Sequence, residues 1–159
     1  MAHITSLTRQ RLFALLRLAL TDSEYSRTLF EKMSDSKWQD VYNAALEQGV
    51  LAFTYDGIRA LDEEQQPDLE IKVQWAYNVS YIEKLSAKQL ATAQKVVDTF
   101  AKEGIKTLIL KGLSLATLYP VPNHRQSGDI DLYLMGDFER GNELMTTLGT
   151  EVKYDYCVH

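Results

Sequence analysis

The stretch Arg125-Gln126-Ser127-Gly128-Asp129-Ile130-Asp131-Leu132-Tyr133-Leu134 decides how the rest of the chain is read. Its second half alternates with the period of a strand over 130–134. Ile130, Leu132 and Leu134 then point together into a core, and Asp129, Asp131 and Tyr133 share the opposite face. Two acids spaced in this way lie about 6 to 7 Å apart along a strand. Such a pair is costly unless positive charge sits between the carboxylates. Two divalent cations, which in two-metal sites lie about 3.5–4 Å from each other, would supply it. Asp129 and Asp131 are therefore the candidate metal ligands and catalytic acids.

Upstream, Thr107-Leu108-Ile109-Leu110 is a short apolar run that predicts a buried strand entering Lys111-Gly112. A short helix over 113–118 and a Pro-containing loop over 119–123 follow. The N–H groups opening that helix, around Gly112 to Ser114, suit a phosphate. Glycine at 112 permits the close approach that a side chain would obstruct. Lys111 and Arg125 offer positive charge to an anion held there, Arg with bidentate geometry, and Ser114 offers a hydroxyl. Without a metal, Arg125 would instead pair with Asp129. His124, beside it, reads as an exposed loop histidine.

Context separates this D-x-D from two other chemistries. In haloacid-dehalogenase-type phosphatases and in many glycosyltransferases the acidic motif follows its hydrophobic strand, whereas here the strand follows the acids. The stretch from Leu108-Ile109-Leu110-Lys111-Gly112 to Gly128-Asp129-Ile130-Asp131-Leu132 resembles the nucleotidyltransferase superfamily related to DNA polymerase beta. Its signature is a strand ending in glycine, a short helix, then Asp-hydrophobic-Asp at the start of the next strand. The Lys-Gly, Leu-Tyr-Pro, Arg and Gly-Asp-Ile-Asp-Leu elements are similar in particular to a bacterial nucleotidyltransferase family. The resemblance implies transfer of a nucleoside monophosphate from an NTP to an acceptor hydroxyl on a small molecule, sugar, tRNA or protein. It also implies two Mg²⁺ ions, with Mn²⁺ as the alternative.

The chain departs from the pattern in three places. Leu113 stands where serine usually follows the glycine, and Ser114 comes one residue later. Fourteen residues separate Ser114 from Asp129, slightly more than the commonest spacing. The superfamily's third carboxylate belongs on a later strand, for which only Glu151 and Asp155 are available, and no residue is assigned as general base. The alternative reading is therefore a non-catalytic nucleotide-sensing or partner-binding module that retains the fold.

The first hundred residues read as helices. Leu12, Leu15, Leu16 and Ala19 follow helical spacing, as do Trp38, Val41, Ala44 and Ala45, with Ser36 as a cap for the second set. Helices are expected over 51–61, after Gly49, and over 69–102, the latter with Pro67 in its first turn and a stop at Gly104. Trp38, Trp75, Tyr77 and Tyr81 are expected to pack between helices. A helix over 138–148 and a strand over 151–158 complete the reading. The fold class is α+β: a helical region over 1–103, then a partial polymerase-beta-like core over 104–159 built on a small mixed sheet with flanking helices. Ending inside a strand pattern, the sequence reads as an N-terminal fragment.

Composition bounds the partners. The 159 residues are 45% hydrophobic and 25% charged, ordinary for a globular chain. A net charge of −5 gives no overall basic footprint, so nucleic acid is not expected as the bulk partner, with tRNA left open. The single cysteine, Cys157, fits a reducing compartment. The apolar run over 12–20 is broken by Arg17 and is too short to span a bilayer. A cytoplasmic protein with no membrane partner is expected.

Overall fold

Apolar residues three and four apart set the helices of the N-terminal region. The computed structural model describes residues 4–21, 24–31 and 33–152. Helix α1 (Ser6–Leu18) opens on Thr5, whose hydroxyl accepts the Thr8 N–H at 3.1 Å. The short α2 (Glu24–Arg27) leads to α3 (Asp35–Glu47), α4 (Leu51–Arg59) and the 34-residue α5 (Leu69–Lys102). Helix α3 is capped by the extended Ser34, so Ser36 lies inside the first turn. Pro67 precedes the α5 cap residue Asp68 and is not in the helix. Its ring bars the residue before it from helical backbone, and Gln66 is accordingly extended at φ −74 and ψ 157.

Helices α1, α3, α4 and the first half of α5 enclose one core, in which Leu15, Phe30, Trp38, Val41, Leu51 and Trp75 are fully buried. Phe30 stacks on Trp38 with centroids 5.5 Å apart, and Tyr42 meets Trp75 edge-on at 5.1 Å. The Trp75 indole N–H donates to the Leu51 carbonyl at 3.0 Å, so its one polar atom is satisfied. The two tryptophans thus pack as their spacing implies. Tyr77 and Tyr81 do not: they are 76% and 59% exposed, on the side of α5 away from the buried stripe Ile71, Trp75, Val79 and Ile82. Helices α1 and α4 cross so closely at Gly57 that a Cβ there would overlap the Leu15 carbonyl.

Helix α5, about 51 Å long by its rise per residue, carries the chain from this core to the remaining elements. It ends in a Schellman turn: Gly104 at φ +73 donates to Ala101, and Ile105 donates to Phe100 at 2.9 Å. Strand β1 (Leu108–Leu110) then pairs antiparallel with β2 (Asp131–Tyr133), in a register that sets Leu110 opposite Asp131 and Leu108 opposite Tyr133. Between the strands lies α6 (Gly112–Ala116), and after them α7 (Phe138–Thr147).

The architecture is α+β, with helices leading and a small flanked sheet following. Among the described residues the sheet is an antiparallel pair and not mixed. The strand expected over 151–158 lies almost wholly outside the described residues, and Glu151 and Val152 are not in a strand. The strand 107–110 is not buried either: Leu108 and Leu110 are 46% and 37% exposed, because a two-stranded ribbon offers cover to one face only. Ile130, Leu132 and Leu134 are half-buried, with Leu134 packed beneath Gly141 of α7. No described helix is long and apolar enough to cross a membrane.

Candidate active site

The chain leaves β1 through a backbone conformation that few residues other than glycine adopt. Lys111 has φ 45 and ψ −126, a conformation that costs a side-chain-bearing residue on the order of 1–3 kcal/mol. The sharp turn sends the next residue, Gly112, straight against residues 127–129. A Cβ at Gly112 would overlap the Ser127 hydroxyl and come within 3.3 Å of the Asp129 carbonyl. Glycine is thus required here for contact with the acidic segment. Ser114 donates its hydroxyl to the Lys111 carbonyl at 2.7 Å, closing the same turn.

Gly112→Ala is expected to cost about 1–2 kcal/mol of stability through this overpacking. Adding Ser127→Ala removes the overlapping hydroxyl and should restore about 1 kcal/mol. Denaturant midpoints of the two single variants and the double variant check the coupling. Strict additivity would mean that the loop and the acidic segment do not touch.

The acids themselves are held through their backbone. The Gln89 side chain of α5 donates to the carbonyls of Gly128 at 3.0 Å and Asp129 at 3.3 Å. Asp129 lies two residues ahead of β2 and is exposed, whereas Asp131 is the first residue of the strand and half-exposed. Among the described residues neither carboxylate takes part in a side-chain hydrogen bond or an ion pair. Two oxygen-donor groups free of protein partners suit a hard cation such as Mg²⁺ or Mn²⁺. No third carboxylate, histidine or cysteine joins them among the described residues. Glu151 is exposed, and Asp155, like Cys157 and His159, lies outside the described residues.

Arg125 does not pair with Asp129. Its Nη1 donates to the Gly112 carbonyl at 3.0 Å, so the guanidinium braces the loop after β1. Lys111 is exposed. The six residues singled out from sequence therefore fall into one neighbourhood: Lys111, Gly112 and Ser114 on the turn, Arg125 bonded to it, Asp129 against Gly112, and Asp131 opposite Leu110. Beside them, α5 and residues 125–130 form a groove of 540 Å³ lined by Ile82, Leu85, Lys88, Gln89, Arg125 and Asp129 among others.

His124 overturns its reading as an exposed loop residue. It is 4% exposed, with Nδ1 2.7 Å from Asp56 Oδ2 of α4 and Nε2 3.1 Å from Glu83 Oε1 of α5. Its pKa is raised, chiefly by the hydrogen bond to Asp56; burial opposes this, and Glu83 adds to it. A histidine whose folded pKa exceeds its unfolded value contributes stability that is fully present below about pH 6.5 and lost as pH rises through the folded pKa. The melting temperature should therefore fall across that alkaline window. A His124→Gln variant should lack this component. Thermal melts from pH 5.5 to 9 check both; matching pH profiles for the two proteins would show that the ring is not charged.

Sequence reading missed Asp56, Glu83 and Gln89 altogether. Their partners are 68, 41 and 39 residues away, and no local pattern marks a side chain whose role is set by a distant loop.

No curated protein and no solved structure matches the chain. A family model described as "Uncharacterised nucleotidyltransferase" matches residues 34–158, from α3 through the paired aspartates and beyond, so helices α3 to α7 and the acidic motif fall within one match. That span is most of the sequence, and the chain belongs to this nucleotidyltransferase family.

Proposed function

We propose that the protein transfers a nucleoside monophosphate from an NTP to an acceptor hydroxyl, dependent on a divalent cation held by Asp129 and Asp131. The observation that carries this reading is that the Asp129 backbone lies against Gly112 and Asp131 pairs with Leu110, beside the strained Lys111 turn, while neither carboxylate has a side-chain partner among the described residues. When bound, the cation neutralises phosphate charge and makes the α-phosphorus open to in-line attack. The chain's own groups supply the rest. The N–H groups opening α6 have no intrahelical acceptors and are the candidate donors to phosphate oxygens. Lys111 adds an exposed ammonium. Arg125 keeps donors beyond the one engaged by Gly112, and these are the ones available to the triphosphate. The groove beside Asp129 has room for a small acceptor or part of a larger one, with an apolar base at Ile82 and Leu85.

A second reading, nucleotide binding without turnover, is favoured by one observation: no third acid joins the pair among the described residues. Titration of ATP, GTP, CTP and UTP into the purified chain, with and without Mg²⁺, tests what the two readings share. At least one nucleotide is expected to bind only with the cation present. A folded chain that binds none of the four under either condition would sink both readings. Release of pyrophosphate on adding acceptors then separates enzyme from sensor.

A further inference from the structure

We propose that His124 is a positioning residue for the phosphate loop, tying α4 and α5 to the Gly112 carbonyl through its neighbour Arg125, and that the tie depends on the imidazole being protonated. The inference deepens the proposed function by assigning a control to the same site, and rests on that reading for its effect on nucleotide.

The geometry is a chain of short links. Asp56 on α4 and Glu83 on α5 grip the two nitrogens of one buried ring. The residue that follows the ring, Arg125, donates to Gly112 at 3.0 Å. Its backbone has little freedom, because it follows a side chain fixed at both ends. Helix α5 grips the same segment a second time, through Gln89 at Gly128 and Asp129. The loop bearing Gly112 and the segment bearing the acids are thus referenced to a single helix.

Proton dependence follows from the donor inventory of imidazole. Both ring nitrogens face carboxylate oxygens, which only accept, so both contacts need an N–H, and only the cation has two. A neutral ring keeps one. The Asp56 contact is shorter, and its carboxylate is 13% exposed, against 46% for Glu83. Loss of the proton therefore releases Glu83 first, where water can replace the ring, and detaches the ring from α5. Asp56 and Glu83 are the charged groups that face the ring from the helices packed against it. Arg125 adjoins it in the chain, and Tyr119, tilted against Phe53, lines the same small cavity.

Glu83→Gln discriminates this inference from a merely structural role. A glutamine amide can donate to a neutral Nε2, so the variant keeps a contact with the uncharged ring and removes the demand for a second proton. At this half-exposed position the substitution is expected to leave the fold intact. Two-dimensional NMR of the whole chain follows the His124 ring and the Gly112 amide against pH. Both signals are expected to titrate with one midpoint above 6.5, the ordinary histidine value, and to move down together in Glu83→Gln. A Gly112 amide without an inflection at the His124 midpoint would overturn the tie. A midpoint unmoved by Glu83→Gln would overturn the role of that carboxylate.

Inorganic triphosphate with Mg²⁺ probes the consequence for binding. Above the wild-type midpoint, Glu83→Gln is expected to bind it about two- to fivefold more tightly than wild type, with no difference below it. Comparison at matched pH cancels the probe's own ionisation. Equal affinities at high pH, with the NMR coupling intact, would remove the control over ligand. Absence of triphosphate binding at every pH would tell instead against the proposed function, while the coupling between His124 and Gly112 is still read directly from the spectra.

Discussion

Replacing Asp129 and Asp131 together by Asn should weaken Mg²⁺-dependent nucleotide binding by about a hundredfold or more, since second-shell groups alone are commonly worth 10- to 100-fold in metal affinity. The same change should scarcely move the melting temperature. Neither carboxylate bonds to another side chain among the described residues, and both retain solvent contact. Substitutions at such positions usually stay within about 0.5 kcal/mol. Calorimetric titration paired with a thermal melt reads both quantities on one preparation. A hundredfold loss accompanied by a large drop in stability would mean that the aspartates act as scaffold. Unchanged affinity would place the cation elsewhere.

Gly57→Ala is the second large effect, on the fold itself. The added Cβ would overlap the Leu15 carbonyl and also lie 2.7 and 2.9 Å from the Leu15 carbonyl carbon and Cα. Backbone atoms cannot rotate away as a side chain can, so α1 and α4 must separate. Overpacking of this kind costs about 3 kcal/mol or more. For a chain of this size that corresponds to a fall of about 6–12 °C in melting temperature. The damage should also reach the candidate site, because the preceding residue, Asp56, grips His124. Nucleotide affinity measured well below the new melting point should drop as well. A change of less than about 2 °C would show that the two helices do not meet at Gly57 as described.

What could be read in advance was whatever repeats locally. Helix α5 runs over 69–102 as its spacing implied, because no Gly or Pro interrupts it until Gly104. The strand–turn–helix–strand order around Lys111 and Asp131 also follows the reading, since glycine and alternating apolar residues leave a local trace. The site was legible as a set of residues but not as a set of contacts. Arg125 had two candidate partners in sequence, the phosphates or Asp129, and the structure bonds it to the Gly112 backbone. His124 looked exposed because it lies in a loop, yet helices that meet the chain only in three dimensions bury it. Tyr77 and Tyr81 failed in the opposite sense. Helical spacing places a side chain on a face, but which face is covered depends on neighbours that spacing does not name.

Helix α5 can also be considered as a ruler. It is fastened to α4 by the Trp75 indole, to the His124 loop by Glu83, and to the acidic segment by Gln89. Glu83 and Gln89 are separated by about 9 Å along the axis. One residue inserted between them would advance every later side chain by about 1.5 Å and swing it through about 100°. Glu83 would keep its histidine, while Gln89 would face away from Gly128 and Asp129. The distance between the two fastenings is therefore a length constraint on the chain. Sequences that share this arrangement should tolerate changes in the loops on either side far more readily than a single insertion or deletion between residues 83 and 89.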